Sequence, residues 1–474
     1  MSAFKQFINV SILPGSTALK NRSFLPIIVG SGTEIGIQTI SEADQLLAFG
    51  YSTTDFEYKA AAAMLSQLPS PAEIKVYRKP TATSYVDALT ALAAADPGFY
   101  AIVIESVSSG DQYAVGSWAD STKRIFIARS TSTSIGSGRN VNREAYIVHD
   151  KLKTVAVAKL ASEPLAFVGA TVPAIAADTY DLDVTVNGVL QQLAIALLIT
   201  DDWDAIAGKI ETALQSATSG AETVEIVDGK LVISGDPADA GAENTVVISA
   251  GTAGSAGGDL IEYIDENITD MNITIEDPAV GSEIYPDAAW VGRKLGKDPF
   301  LTWKWKQLSG IGETGFNLTE INTILDNNTN TVQKQAGATY TIEGKVTGTQ
   351  IGFIDLIVGI DYIENDIQVE LLKLFLDNES VELSDVGIGQ VEQVIRGVLD
   401  RNGARGIIAS LTEDSSDADK AKSDQGVFMY KVITPLRSEI AANDRANRFL
   451  NKMEFSYTVG GAIHRVDVDG KFES

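Results

Sequence analysis

"FLPIIVG" (Phe24–Gly30) is an apolar run seven residues long that closes on a glycine, and it reads as a buried strand. Downstream of it, helix and strand signals alternate. "SEADQLLAFG" (41–50) reads as a short helix, with Ser41 as N-cap, Asp44 three residues on and Gly50 as the stop. "EYKAAAAMLSQLPSP" (57–71) is a second helix ended by Pro69, and "EIKVYRK" (73–79) is the next strand. The helix "YVDALTALAAAD" (85–96) and the strands "YAIVIES" (100–106) and "RIFIARS" (124–130) continue the pattern. The first 165 residues are therefore expected to form an α/β unit with mixed sheets.

Past residue 170 the pattern changes. "YDLDVTVNGVLQQLAIAL" (180–197) places two strands around Asn187-Gly188, the strongest short hairpin signal, and "TVEIVDGKLVISG" (223–235) repeats it at Asp228-Gly229. Between them, "TDDWDAIAGKIETALQSATSG" (200–220) puts Trp203, Ile206, Ile210 and Leu214 on one helical stripe. "NTVVISAGTAGSAGG" (244–258) reads as a strand leading into a flexible small-residue stretch. Residues 172–275 are expected to be an α+β insertion in a larger domain.

The return segment carries three of the five tryptophans in "WVGRKLGKDPFLTWKWKQLSGI" (290–311). Two amphipathic helices come next, "DLIVGIDYIENDIQVELLKLFLDN" (355–378) and "VGIGQVEQVIRGVLDRNG" (386–403). A polar stretch or short helix (435–453) then leads to "EFSYTVGGAIHRVDVDGKF" (454–472), read as a hairpin turning at Gly460-Gly461. Both ends of the chain alternate with period two: Ile8, Val10 and Ile12 near the start, and Ala462, His464, Val466 and Val468 near the end. A terminal strand needs a neighbour, and an edge strand invites one from another chain.

Composition narrows the chemistry. The 474 residues include no cysteine, so disulfides, thiolate catalysis and Cys-based zinc sites are excluded. Net charge is −26, with 63 acids against 37 bases and no basic run read as a phosphate stripe, which argues against direct nucleic-acid binding. The start, "MSAFKQFINVSILPG", lacks the features of a signal peptide, and the longest apolar run, "LAIALLI" (193–199), is too short to span a bilayer. No membrane insertion is expected.

Catalytic signals are weak. "VGSGTEIG" (29–36) follows a strand, but its G-x-G-x-x-x-G spacing is one residue longer than a dinucleotide-binding fingerprint, so it reads as a turn. Only two histidines exist, and neither has a second at metal-ligand spacing. His149 beside Asp150 is a poor general base, and His464 reads as a packing or hydrogen-bonding residue. The expectation is a non-enzyme with no catalytic residue, metal or cofactor. One basic group stands out near the end: Arg437, then Arg445, Arg448 and Lys452, whose spacing on a helix makes one positive stripe suited to an acidic partner.

The ordered series "INVSI", "LPIIVGSG", "ISEADQLLAFG", "FEYKAAAAMLSQLPSPAEIKVYR", "PFLTWKWKQLSGI", "GFIDLIVGIDYIENDIQVELLKLFLD", "VGIGQVEQVIRGVLDRNGARGII", "DRANR" and "GGAIHRVDVDG" resembles the tail sheath proteins of contractile-tailed bacteriophages. The resemblance covers residues 7–165 and 285–470. It implies an arm over 1–22, a sheath α/β domain over 23–171, an outward-facing insert over 172–275, a tube-proximal domain over 276–459 and a strand arm over 460–474. It also implies polymerisation as stacked six-fold rings round a tail tube, strand exchange through the terminal arms, and contraction that drives the tube through a host envelope for genome delivery. Implied partners are other copies of the chain, the tube protein, and baseplate and terminator proteins. The implied location is a virion tail assembled in a bacterial cytoplasm. The alternatives are a headless contractile particle of bacteriocin or type VI kind, and a surface-binding adhesin.

Overall fold

The computed structural model describes residues 24–152, 156–164, 166–236, 245–268, 271–279 and 283–464. Two compact units share them: residues 1–150 with 285–474, and the contiguous stretch 151–284. The second unit is wider at both ends than the 172–275 expected, because strands flanking the expected insert pair with each other and belong to its sheet.

In chain order the first unit begins with β1 (Pro26–Gly32), β2 (Ile35–Ile40), α1 (Phe56–Leu65), β3 (Ile74–Pro80), α2 (Tyr85–Ala95), β4 (Ala101–Ile104), α3 (Ser109–Ser121), β5 (Ile125–Ser130) and β6 (Glu144–Val148). The 151–284 unit supplies β7 (Val157–Pro164), β8 (Asp178–Val186), β9 (Val189–Leu197), α4 (Trp203–Thr218), β10 (Thr223–Val227), β11 (Lys230–Ser234), β12 (Val246–Ala250), α5 (Leu260–Asn267) and β13 (Met271–Ala279). The return adds α6 (Pro286–Leu295), α7 (Leu318–Asp326), β14 (Asn330–Gln335), β15 (Ala338–Ile342), α8 (Ile354–Asp377), α9 (Asp385–Ala404), α10 (Asp417–Lys420), β16 (Tyr430–Ile433), α11 (Ala442–Ala446) and β17 (Glu454–Tyr457).

The main sheet of the first unit has eight strands in the order β15-β14-β6-β5-β4-β1-β3-β2. Its six inner strands are parallel, and each edge is an antiparallel strand, β2 against β3 and β15 against β14. A parallel sheet is covered on both faces, which is why β1 and β4 read as continuous apolar runs. Ile27, Val29, Ile102, Ile104, Phe126 and Tyr146 form one core with Leu89 of α2, Val115 of α3 and Ile324 of α7. The return segment completes this sheet through β14, so residues 1–150 and 285–474, expected as separate domains, fall in one compact unit.

Local chemistry differs from expectation in two places near the start. Residues 43–49 form a 3₁₀ turn whose N-cap is Glu42, not Ser41, and Gly50 stops it in the left-handed region at φ 92°. Of the glycines of "VGSGTEIG", Gly30 and Gly32 lie in β1 and Gly36 in β2, with the reversal between the two strands. A Cβ at Gly30 would lie 2.0 Å from the Glu57 carboxylate, so the glycine makes room for a buried ion pair.

Within the 151–284 unit, β12-β8-β9 and β10-β11-β7-β13 form two antiparallel sheets. They close over Trp203, Ile206, Ile210 and Leu214 of α4, the predicted stripe, with Phe167 edge-on to Trp203 at 4.8 Å. Both hairpins turn where expected, with Asn187-Gly188 and Asp228-Gly229 all at positive φ. The Gly/Ala/Ser stretch after β12 is pinned: Asp181 accepts from the amides of Gly254 (2.6 Å) and Ser255 (2.7 Å), and Asp183 from the Thr252 hydroxyl (2.6 Å).

Candidate assembly surface

An open doubly wound sheet binds ligands outside the carboxyl ends of its strands, where strand order reverses. Here the reversal lies between β1 and β4, and the chain itself fills the place. Arg129, at the end of β5, donates to the Ile104 carbonyl (3.1 Å), the Glu105 carbonyl (2.9 Å) and the Asp287 carboxylate of α6 (3.0 Å). Its guanidinium also lies 5.1 Å from the Phe56 ring and 5.0 Å from that of Tyr285. The Glu105 carboxylate accepts from the Ser31 amide (2.7 Å), and Arg78 grips Glu57 with two bonds of 2.7 Å. Burial pushes the Asp287 carboxyl up while Arg129 opposes it. Every group here is spent on a neighbour in the fold.

His149 is equally committed: its Nε2 lies 3.2 Å from the Gly312 carbonyl and its Nδ1 3.6 Å from Asp150, while the other Asp150 oxygen accepts from the Gly315 amide. Among the described residues no group of three His, Cys, Asp or Glu side chains is placed to hold a metal ion, and no helix is long and apolar enough to cross a membrane.

α8 is fastened to the sheet by buried charge. Asp361 accepts from both guanidinium nitrogens of Arg143 and from the Tyr100 hydroxyl at 2.7 Å. One turn on, Glu364 takes two bonds of 2.8 Å from Lys123. These four charged side chains are all nearly inaccessible. Sequence reading missed them because the partners lie more than 200 positions apart. The only local signal was an acid on the apolar side of an amphipathic helix.

The chain's last described part builds a small sheet on α9. β16 and β17 pair antiparallel, Tyr430 with Tyr457 through Ile433 with Glu454. The strand "EFSY" thus pairs backward with β16, and among the described residues no strand follows Gly460-Gly461. Gly460 instead donates to the Ile407 carbonyl (2.8 Å). The sheet is seated by Arg396 of α9, which takes Asp424 bidentately (2.9 and 2.8 Å) and Glu392 (2.7 Å), and by the Tyr430 hydroxyl on Asp400 (2.6 Å). Against burial, which raises it, the Arg396 hydrogen bond holds the Asp424 carboxyl below its ordinary range. At Gly403 a Cβ would come within 2.5 Å of the Phe428 ring, so helix and sheet are in close contact. Two paired strands leave edges available for further pairing, and Val427, Ile433, Leu436, Phe449 and Ile463 are all more than half exposed nearby in sequence.

The predicted arm residues divide. Ile8, Val10, Ile12, Val466 and Val468 lie outside the described residues. Ala462 and His464 are described and are not in a strand. His464, the last described residue, is firmly held. Its Nε2 is 3.0 Å from the Thr302 hydroxyl, its carbonyl accepts from Lys304 Nζ (3.2 Å), and Phe353 meets its ring edge-on at 5.0 Å. Lys304 is itself held by Glu343 at 2.6 Å. Beside it a cavity of about 150 Å³ is lined by Phe300, Asp355, Ile407 and Ala462.

The basic stripe is not built as expected. α11 stops at Ala446, and Arg448 (φ 55°) and Lys452 (φ 61°) adopt left-handed backbone, so no helix carries Arg445, Arg448 and Lys452 on one face. Arg445 turns back to the Ile440 carbonyl (2.6 Å). Arg437 donates to the Leu383 carbonyl (2.9 Å), tying this loop to the start of α9. The acids expected to pair with the stripe are otherwise used: Glu439 accepts from the Leu436 amide, and Asp444 from Asn451.

Residues 354–472 match the family model described as E217 tail sheath protein gp31-like, C-terminal domain. No curated protein matches the chain. Among solved structures it is similar to a chain of the anti-feeding prophage baseplate at 11% identity and TM-score 0.48, covering 99% of this chain and 98% of that one. A chain of the same prophage's helical sheath in the contracted state gives 11% and 0.45, covering 98% of each. The sheath tail protein Lin1278 from Listeria innocua gives 10% and 0.31, covering 92% of this chain and 94% of that one. At these scores the structural likenesses carry no argument about function. The family match begins at the first residue of α8 and takes in the buried Asp361 and Glu364 locks, α9 and the small sheet, so that this C-terminal quarter of the chain is similar to the C-terminal domain of a tail sheath protein.

Proposed function

We propose that this protein is the structural subunit of a contractile phage tail sheath, working by polymerisation and contraction and not by catalysis. The observation that carries the reading is the sheath-family match over residues 354–472, the part of the chain that ends in a two-stranded sheet. A two-stranded sheet is marginal alone and gains from further strands. Backbone pairing supplies directional bonds that persist while subunits rotate, and pockets beside the strands set register. On this reading the alternating segments around Ile8, Val10 and Ile12, and around Val466 and Val468, are strands exchanged between copies. His464 then fixes the root of the C-terminal arm on its own subunit.

Copies joined by such heterologous contacts form stacked six-fold rings around a tail tube and extend as a helical array. Contraction changes many weak interfaces together while the arms hold neighbours in sequence. The tube protein, baseplate and terminator are the other partners, the insert faces outward, and Arg437, Arg445, Arg448 and Lys452 contact the tube or a neighbour. The finished tail is assembled in the host cytoplasm and delivers a genome. The filled crevice at the strand reversal supports a non-catalytic role.

Deletion tests the arm mechanism. Chains lacking residues 1–13 or 465–474 are expected to remain folded by circular dichroism and to sediment as single subunits where the full chain forms arrays. Normal helical arrays from both truncations would reject it.

A further inference from the structure

The stretch from Arg293 to Lys306 holds Arg293, Lys294, Lys297, Lys304 and Lys306 against one acid, Asp298. It is interleaved with apolar and aromatic residues, which hides it from a search for basic runs. Lys304 is spent on Glu343, but Lys297 is exposed and Arg293 and Lys306 are partly so. Burial, then the neighbouring Lys306 cation, pushes the Lys294 ammonium down to about 7, and its Nζ donates to the Asp298 carbonyl (3.2 Å). Amid these cations stands Trp305, 41% exposed, at φ 61°. A bulky residue rarely adopts that conformation, and the backbone around it is locked. The Trp305 amide donates to the Thr341 carbonyl (2.9 Å), the Thr341 amide to the Lys306 carbonyl (2.9 Å), and the Lys306 amide to the Thr341 hydroxyl (2.9 Å). The fold therefore holds an indole outward at a backbone cost, and Leu301, four residues earlier, is also 41% exposed.

The opposite charge is concentrated in the other unit. Residues 151–284 contain 22 acids, five lysines and no arginine. Two of those lysines, Lys209 and Lys230, are already paired with Asp201 and Glu276 of the same unit. Asp204, Glu225, Asp228, Glu262 and Glu266 are exposed.

We propose that the surface around Trp305, with Arg293, Lys297 and Lys306, is a docking face for the acidic 151–284 unit of a second copy of this chain. This rests on the sheath reading and adds the electrostatic contact that lets copies of net charge −26 associate. An exposed tryptophan with Lys304 Nζ 4.8 Å from its ring and cations on either side in sequence has the make-up of an interface centre, and opposite potentials steer the encounter and fix its register. Because the two faces differ, the contact is head-to-tail and propagates from copy to copy, round a ring or along a helix.

The test is photo-crosslinking from Trp305→p-benzoylphenylalanine in the full-length chain, with ¹⁴N- and ¹⁵N-labelled copies mixed. Crosslinks of mixed isotope that map to residues 151–284 are expected. Their yield should fall about tenfold when K297E/K306E is added, or when salt is raised to about 0.5 M, where surface attraction is screened. W305G supplies a second readout. Glycine fits the left-handed backbone, so the subunit should be at least as stable while association between copies weakens about tenfold. Crosslinks confined to one copy, crosslinks mapping elsewhere, or none in assembled arrays would overturn the proposal. Arrays without these crosslinks would leave the sheath reading intact. Crosslinks without arrays at any concentration would contradict the sheath reading alone.

Discussion

Asp361 shows how a single carboxylate joins distant parts of the sequence. It sits on α8, takes the Arg143 guanidinium and the Tyr100 hydroxyl, and has no access to water to replace them. Removing one partner of such a pair leaves a buried charge, so D361A should cost about 3–5 kcal/mol in denaturant unfolding. The double variant R143M/D361L, which removes both charges, should recover most of the loss. Lys294 makes a prediction of opposite character. Its ammonium titrates near 7 in the fold and near 10.5 in the unfolded chain, so the unfolded state binds more protons between those values. Stability should therefore rise as pH goes from about 7 to about 10, and be lowest below 7 where both states are charged. In K294M that rise should flatten, which unfolding curves at stepped pH will read directly. Neither residue announces itself in sequence, because its environment is made by segments far away in the chain.

Elements were legible where one signal sufficed. The α4 stripe, the two glycine hairpins and the long helices α8 and α9 follow from periodicity and turn chemistry alone. β2 and β6 were not foreseen, since a five- or six-residue strand beside polar loops has no distinctive period. α3, "SGDQYAVGSWADS", was missed because its apolar face is made largely of alanine, glycine and glutamine packed on the sheet. For the closing hairpin the sequence offered a turn at Gly460-Gly461 but no sign that β17 pairs with β16, and most of the expected second strand lies outside the described residues. The small sheet's hold on α9 is testable. R396A removes the bridge to Asp424 and Glu392, and G403A forces a methyl into Phe428. Either should speed hydrogen exchange at the Val432 and Met429 amides at least tenfold, while amides of β1 and β4 keep their protection.

For the molecule as a whole, the sequence reading expected an insertion over 172–275, whereas the compact unit runs from 151 to 284, its sheet including β7 and β13. The pairing of those two strands makes 151–284 a contiguous unit with its own core. Replacing it with a flexible linker should leave the eight-stranded sheet folded, as judged by a single cooperative transition and retained near-ultraviolet signal from Trp290 and Trp303. The division of charge is also a property of the whole chain: residues 151–284, with 22 acids against five bases, carry most of the net negative charge, while the stretch around Trp305 collects bases. The central claim, that this chain is built to polymerise as a sheath, is most directly tested by electron microscopy of the purified full-length protein across salt and pH. The account predicts rings or helical tubes with six-fold symmetry and a central channel wide enough for a tail tube. Monodisperse single subunits under every condition would contradict it.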